Sequence, residues 1–327
     1  MRQISLSAEP ARIALFAGYA VFIVALGIAT ANIDPFNSDT VANLIAVTSI
    51  DPNGTLYVVA HSNVLKAPLY LLSMALFGRS QNALAFIDTL STIGFNALIF
   101  VCLMVWTKDF ARRHLAALPL AYLACLSPLY LTLTVSAAQR NLDIGVSFVW
   151  LALILGDTWK LRYRLLGIPL AAILVINDPW FVTTFAFPAI MVALLVRMAP
   201  TTRGFLTSRV TSVAIAVAGV TLGFAIRTGI EATGLAQFVA SESEYRVVTA
   251  QRLGFNLGLT AEVLLRYFNA WVFEQPLVSV AVFRGFANLA LVGIGIAGLF
   301  AGARAADRLI RRVSVFALIA IATNLCL

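Results

Sequence analysis

The sequence predicts an all-α fold: a polytopic transmembrane bundle of about nine spans, with a long first external loop carrying short interfacial helices. Three observations predict it. Hydrophobic residues make up 61% of the 327-residue chain and charged residues only 12%, against ~25% charged in soluble domains. Apolar runs recur at roughly the 17–25 residues that a ~30 Å hydrocarbon core demands. The basic residues fall between those runs rather than along one face.

Taken in order, the first run covers 13–33 and follows Arg2 and Arg12. Its end, "ATA", resembles a signal-peptidase site, but the run is long for a signal h-region and reads better as a retained helix. The segment 66–78 has only 13 residues. At 1.5 Å per residue that is about 20 Å, too short to span, so it is expected to be re-entrant or interfacial. Further spans are expected at 82–106, 115–135, 142–158, 165–176, 179–197, 210–230, 276–300 and 313–327. The run 165–176 carries Pro169 and is expected to be kinked or tightly paired with the next helix through "NDP". The last run has no closing basic loop, so the chain is expected to continue beyond Leu327. Residues 1–327 are read as a single transmembrane domain.

Charge sets the expected orientation. Lys108, Arg112 and Arg113, then Lys160, Arg162 and Arg164, then Arg197, Arg203 and Arg209, then Arg304, Arg308, Arg311 and Arg312 fall on one side if 66–78 does not span. That side is cytoplasmic by the positive-inside rule, together with the N-terminus. The net charge of +8 is therefore a loop property and no sign of nucleic-acid binding. Cys102, Cys125 and Cys326 lie inside apolar runs without paired spacing, as buried thiols do. Two histidines exclude a His-rich metal site, and no Walker, GxSxG, HExxH or dinucleotide motif is present. With no targeting tail in the chain, a bacterial plasma membrane is the expected location.

Two long loops face outward in this topology. The first, 34–65, holds Asp34, Asp39, Asp51 and His61; the second, 231–275, includes "AEVLLRYFNAWVFEQP", whose apolar and aromatic spacing predicts a helix lying in the interface. Charged groups at membrane depth mark function by default. Here they gather at one side: Asp39 after the first span, Arg140, Asn141 and Asp143 at the third junction, Asn177 and Asp178 at the fifth, with His61 and Lys66 beside them. Each has a second reading. Asp39 and Asp178 are suitable helix caps; Arg140 is placed to pair with Asp143 at i,i+3; Lys66 is placed to snorkel; His61 is an acid/base or metal candidate, or a solvated loop residue.

"HSNVLKAPLYLLSMALFGRSQNALAF" (61–86), "LSPLYLTLTVSAAQRNLDIGVSFVWLALIL" (126–155) and "LAAILVINDPWFVTTFAFPAIMVALL" (170–195) resemble, in order, patterns of the GT-C superfamily of integral-membrane glycosyltransferases. These include protein O-mannosyltransferases and lipid A aminoarabinose transferases. The resemblance covers a module of about residues 10–200. One acid, Asp39, stands where members usually carry two, and Asp178 stands where a lysine is frequent. The resemblance implies a polyprenyl-phosphate-linked sugar as donor, a lipid, glycan or protein acceptor, and transfer with inversion. It implies Asp39 as catalytic base, with His61, Lys66, Arg140, Asn141, Asp143 and Asp178 around the substrate. It implies no certain cofactor, leaving a divalent cation open. The alternative reading of the same charges is a polytopic transporter or lipid flippase.

Overall fold

A computed structural model of the chain describes residues 9–30, 56–59, 63–78, 80–106, 141–156, 160–196, 204–239, 250–268, 270–273, 276 and 278–325. The elements are α1 (Glu9–Thr30), β1 (Leu56–Val59), α2 (Asn63–Phe77), α3 (Gln81–Trp106), α4 (Asn141–Leu155), α5 (Leu161–Arg164) and α6 (Gly167–Asn177). A π-helical turn, Val182–Ala186, leads into α7 (Phe187–Leu195); α8 (Gly204–Ala232), β2 (Ala236–Val239), α9 (Ala250–Tyr267), α10 (Val280–Ala303) and α11 (Arg308–Leu325) follow. The chain is thus mostly helical, as expected.

Three helices are long and apolar enough to cross a membrane: Gln81–Phe100, Arg209–Ala232 and Val280–Ala303. These mark a membrane protein. Four more apolar helices, Ala17–Ala29, Val64–Phe77, Leu142–Leu155 and Val182–Leu195, are shorter. About nine spans were expected, and the described residues hold three of spanning length; the expected 115–135 span lies outside them. Leu142–Leu155 and Val182–Leu195 fall in the expected spans 142–158 and 179–197, the first ending at Gly156 and the second following the Asp178–Pro179 bend, while Val64–Phe77 corresponds to the segment expected to be too short to span.

Small residues set how the helices approach. α8 lies against α6 through Gly219 and Gly223, spaced G-x-x-x-G. A Cβ at Gly219 would stand 2.6 Å from Ala171 Cβ and 2.9 Å from the Ile168 carbonyl oxygen. One at Gly223 would stand 2.6 Å from Val175 Cβ and 2.8 Å from the Ala172 oxygen. The matching rise of both numbers makes the pair parallel, with backbones brought together as in membrane helix dimers. α4 runs antiparallel to α6: Trp150 Nε1 donates to the Gly167 carbonyl at 2.9 Å. α3 runs parallel to α4, since Gly94 meets Leu142 and Gly145 meets Leu98. α1 returns along α3, with Gly27 against Ile93 and the Tyr19 and Phe100 rings stacked at 4.2 Å.

The α2–α3 hairpin turns at Gly78, whose φ of +62° lies in the left-handed region that glycine enters without penalty. Ser80 caps α3 by accepting from the Ala83 N–H, and Ser73 Oγ donates to the Ala83 carbonyl at 2.7 Å. The π-turn before α7 has a covalent cause. Pro188 has no N–H for the Thr184 carbonyl, and the Phe187 N–H reaches back five residues to Val182. Trp150, Leu151, Leu174, Val175, Phe181, Phe185, Val192 and Phe316 form the apolar centre between these helices.

The basic end of the bundle has a structural task beyond orientation. Arg312 donates to the Leu155 carbonyl at 2.6 Å, and Arg164 donates to the Ile154 carbonyl and to Ser212 Oγ. Ser212 Oγ in turn donates to the Ile154 carbonyl at 3.1 Å, and Arg209 donates to the Val196 carbonyl. Cationic donors thereby satisfy the orphan carbonyls at the C-termini of α4 and α7, where the helix dipole favours positive charge.

A short parallel sheet joins the two long loops: Leu56 pairs with Ala236 and Val59 with Val239. It was not expected, because four-residue strands leave little periodicity to read. Arg227 of α8 stacks over Phe238 at 4.4 Å, fixing β2 to the helix it follows.

Gly223→Val forces branched carbons onto the Ala172 carbonyl and is expected to lower stability by about 1–3 kcal/mol. Gly229→Ala, with nothing within 4 Å of the new carbon, is expected to leave it unchanged. Thermal unfolding in detergent separates the two.

Candidate functional site

Asp39, His61 and Arg140 lie outside the described residues. Asn141 opens α4, and its side chain is likewise outside them. Lys66, Asp143 and Asp178 are described, and the fold brings their helix ends together.

The construction starts at the end of α6. The helix stops at Asn177 because Asp178 turns to an extended conformation (φ −154°, ψ 113°), as a residue before proline must. Asp178 Oδ1 accepts the Trp180 N–H at 2.9 Å and so starts the returning helix, the capping role that its sequence position allowed. Asn177 Oδ1 accepts the Leu65 N–H at 2.9 Å. Leu65 is in the first turn of α2, where backbone N–H groups have no partner within the helix, so Asn177 caps α2 from another element. Lys66 follows immediately.

α4 completes the group. Because it is antiparallel to α6, its N-terminal turn with Asp143 stands level with Asn177 and Asp178. Ser147 Oγ closes on the Asp143 carbonyl at 2.6 Å. Gly94 beside Leu142 adds the buried polar residues of mid-α3: Ser91, Thr92 and Asn96, the last donating to the Thr92 carbonyl at 2.8 Å. Lys66 and Tyr70 are completely enclosed, and Asp143, Asn177 and Asp178 are 5%, 4% and 6% exposed, deeper than loop residues would be. An enclosed lysine cannot snorkel from this position, so the enclosed reading replaces that one.

The depth differs from expectation as well. The charges were expected at the membrane rim. Gly223 stands beside Val175, which leaves α8 about seven more residues, roughly 10 Å, beyond the level of Asn177. Leu142 meets Gly94, about thirteen residues or roughly 20 Å in from Gln81. The polar group is recessed along two of the spanning helices, between closely packed elements.

Among the described residues of this group, Ser91 Oγ and Asn177 Nδ2 are buried with no hydrogen-bond partner. Leaving such a donor unsatisfied costs about 1–3 kcal/mol, so an orphan of this kind calls for a reason. Among the described residues no three His, Cys, Asp or Glu side chains converge as a metal site would require. The polar residues of mid-α3 were not foreseen from the sequence, and Asn177 was foreseen at this junction but without a substrate role. The polar interruption "STIGFN" (91–96) within an apolar run was the signal for the former.

Comparison with protein-family models, with curated proteins and with solved structures gives no match.

Asp178→Ala removes the acceptor for the Trp180 N–H and is expected to cost about 0.5–2 kcal/mol, whereas Asp178→Asn keeps most of it; thermal unfolding is the readout. Lys66→Met and Asp143→Asn are each expected to destabilise, and the double variant to lose less than the sum by ~1 kcal/mol or more. Simple additivity would show that the two groups do not act on one another.

Proposed function

We propose that the chain is an integral-membrane glycosyltransferase that moves a sugar from a polyprenyl-phosphate donor to an acceptor at the extracytoplasmic face. The observation that carries this reading is the convergence of Lys66, Asp143, Asn177 and Asp178 at one level and one end of the bundle. Buried ionisable groups at membrane depth are retained where a function needs them. The order of the three sequence stretches resembling GT-C enzymes agrees with it: each supplies one of the converging helix ends.

In this mechanism the acceptor hydroxyl attacks the anomeric carbon. The bond from that carbon to the phosphate oxygen breaks, and polyprenyl phosphate leaves with the electron pair. Asp39 takes the acceptor proton, a step worth ~10²–10⁴-fold. Arg140 offers a two-pronged guanidinium to the leaving phosphate, stabilising charge as it develops. Lys66, enclosed as it is, holds the surrounding carboxylates in place and stands behind the phosphate contact. Asn141, at the start of α4, stands at the same end, and the GT-C resemblance adds His61 to the substrate contacts.

A transporter or lipid flippase is the second reading, favoured by the recess of the site below the ends of α3 and α8. Against it, the described charges of this group lie at one level rather than along a path, while the opposite end is closed by arginines bound to carbonyls.

Membranes containing the chain are expected to transfer labelled sugar from polyprenyl phosphate to an endogenous acceptor, and Asp39→Asn to reduce the rate by ~10²-fold or more with the protein still folded. Unchanged turnover in that variant removes Asp39 from the chemistry, and solute counterflow without any transfer selects the transporter. A cysteine at exposed Gln237 is expected to react with an impermeant maleimide in intact cells, and one at exposed Arg308 only after permeabilisation. The reverse pattern inverts the topology.

A further inference from the structure

The bend after α6 places a hydrogen-bond donor and an acceptor on consecutive residues. Only an oxygen can receive the Leu65 N–H, so the orientation of the Asn177 amide is fixed and its Nδ2 is committed to the other side. That Nδ2 has no acceptor among the described residues, in a side chain 4% exposed. Asp178, fixed by the Trp180 N–H, brings a carboxylate, which only accepts.

The charge around this pair decides what kind of group suits it. Among the described residues, the side chain next to Asn177 at the bend is a carboxylate, Asp178. A phosphate bound there by Asn177 would face that carboxylate. A sugar offers neighbouring hydroxyls, each able to donate and to accept, with no charge to repel. We propose that Asn177 and Asp178 form the subsite for the sugar of the lipid-linked donor: Nδ2 donates to one hydroxyl oxygen, and the Asp178 carboxylate accepts from the adjacent hydroxyl. This rests on the glycosyltransferase reading and divides the donor, with the sugar at the α6 bend and the phosphate elsewhere.

The test uses the full chain in nanodiscs and two families of ligand: bare polyprenyl phosphate, and polyprenyl phosphate carrying mannose or glucose, with binding read by native mass spectrometry. Asn177→Asp keeps the acceptor for Leu65 and exchanges the free donor for an acceptor. It is expected to weaken the glycosylated lipid by about tenfold while bare polyprenyl phosphate stays within about twofold. Asn177→Ser, which keeps a donor, is expected to fall in between, and it carries the test if the aspartate variant fails to fold by thermal unfolding. Equal loss on both lipids, or loss on neither, overturns the sugar subsite while leaving the transferase reading standing. If the unmodified chain binds neither lipid, the transferase reading itself fails and the subsite with it.

Discussion

The contact of α8 with α6 is the constraint on which the rest of the structure depends. With glycines at 219 and 223, carbonyl oxygens of one helix meet the backbone of the other without side chains between. At membrane depth no gain from expelling water draws helices together, so close packing of this kind has to provide the attraction. Once α6 is fixed by α8, Gly167 is in place to accept the Trp150 indole, which aligns α4, and the Asn177 bend is in place to receive the first turn of α2. Three helix ends then meet at one level as a consequence of one parallel pair.

The two ends of the bundle handle helix termini in opposite ways. At the basic end, Arg164, Arg209 and Arg312 bond to carbonyls at the C-termini of α4 and α7. At the other end, Asn177 and Asp178 oxygens receive N–H groups from the starts of α2 and the helix after the bend. Both arrangements follow the sign of the helix dipole. The basic side chains at one end thus also satisfy backbone groups that water does not reach.

Much of this architecture was legible in the sequence, and the reasons differ by element. Helices over 82–106, 210–230 and 276–300 follow from apolar length alone and were found as α3, α8 and α10 within a few residues. The expected 165–176 helix appears as α6, stopped by the residue before Pro179. The segment 66–78, expected as a short helix that is re-entrant or interfacial, is α2, and its helical start lies three residues earlier because Asn177, remote in sequence, caps it. That kind of signal is tertiary and cannot be read locally. The grouping of Lys66, Asp143 and Asp178 was legible because charged residues interrupting apolar runs are conspicuous. Their enclosure was not, since burial depends on how far neighbouring helices overshoot the bend. Neither was the Asn177 orphan donor, which exists only because a backbone N–H from α2 occupies the other half of the amide.

The pairing of β1 with β2 bears on how the chain is made. Strand β1 emerges early in synthesis, yet its partner follows about 180 residues later, after α8 has been inserted. Closing so long a loop carries an entropic penalty that local helix formation does not. Strand β1 therefore stays unpaired while the intervening helices form and dock. The sheet closes only after α8 and β2 have been made, and β1 is held in place by a partner that local folding cannot supply.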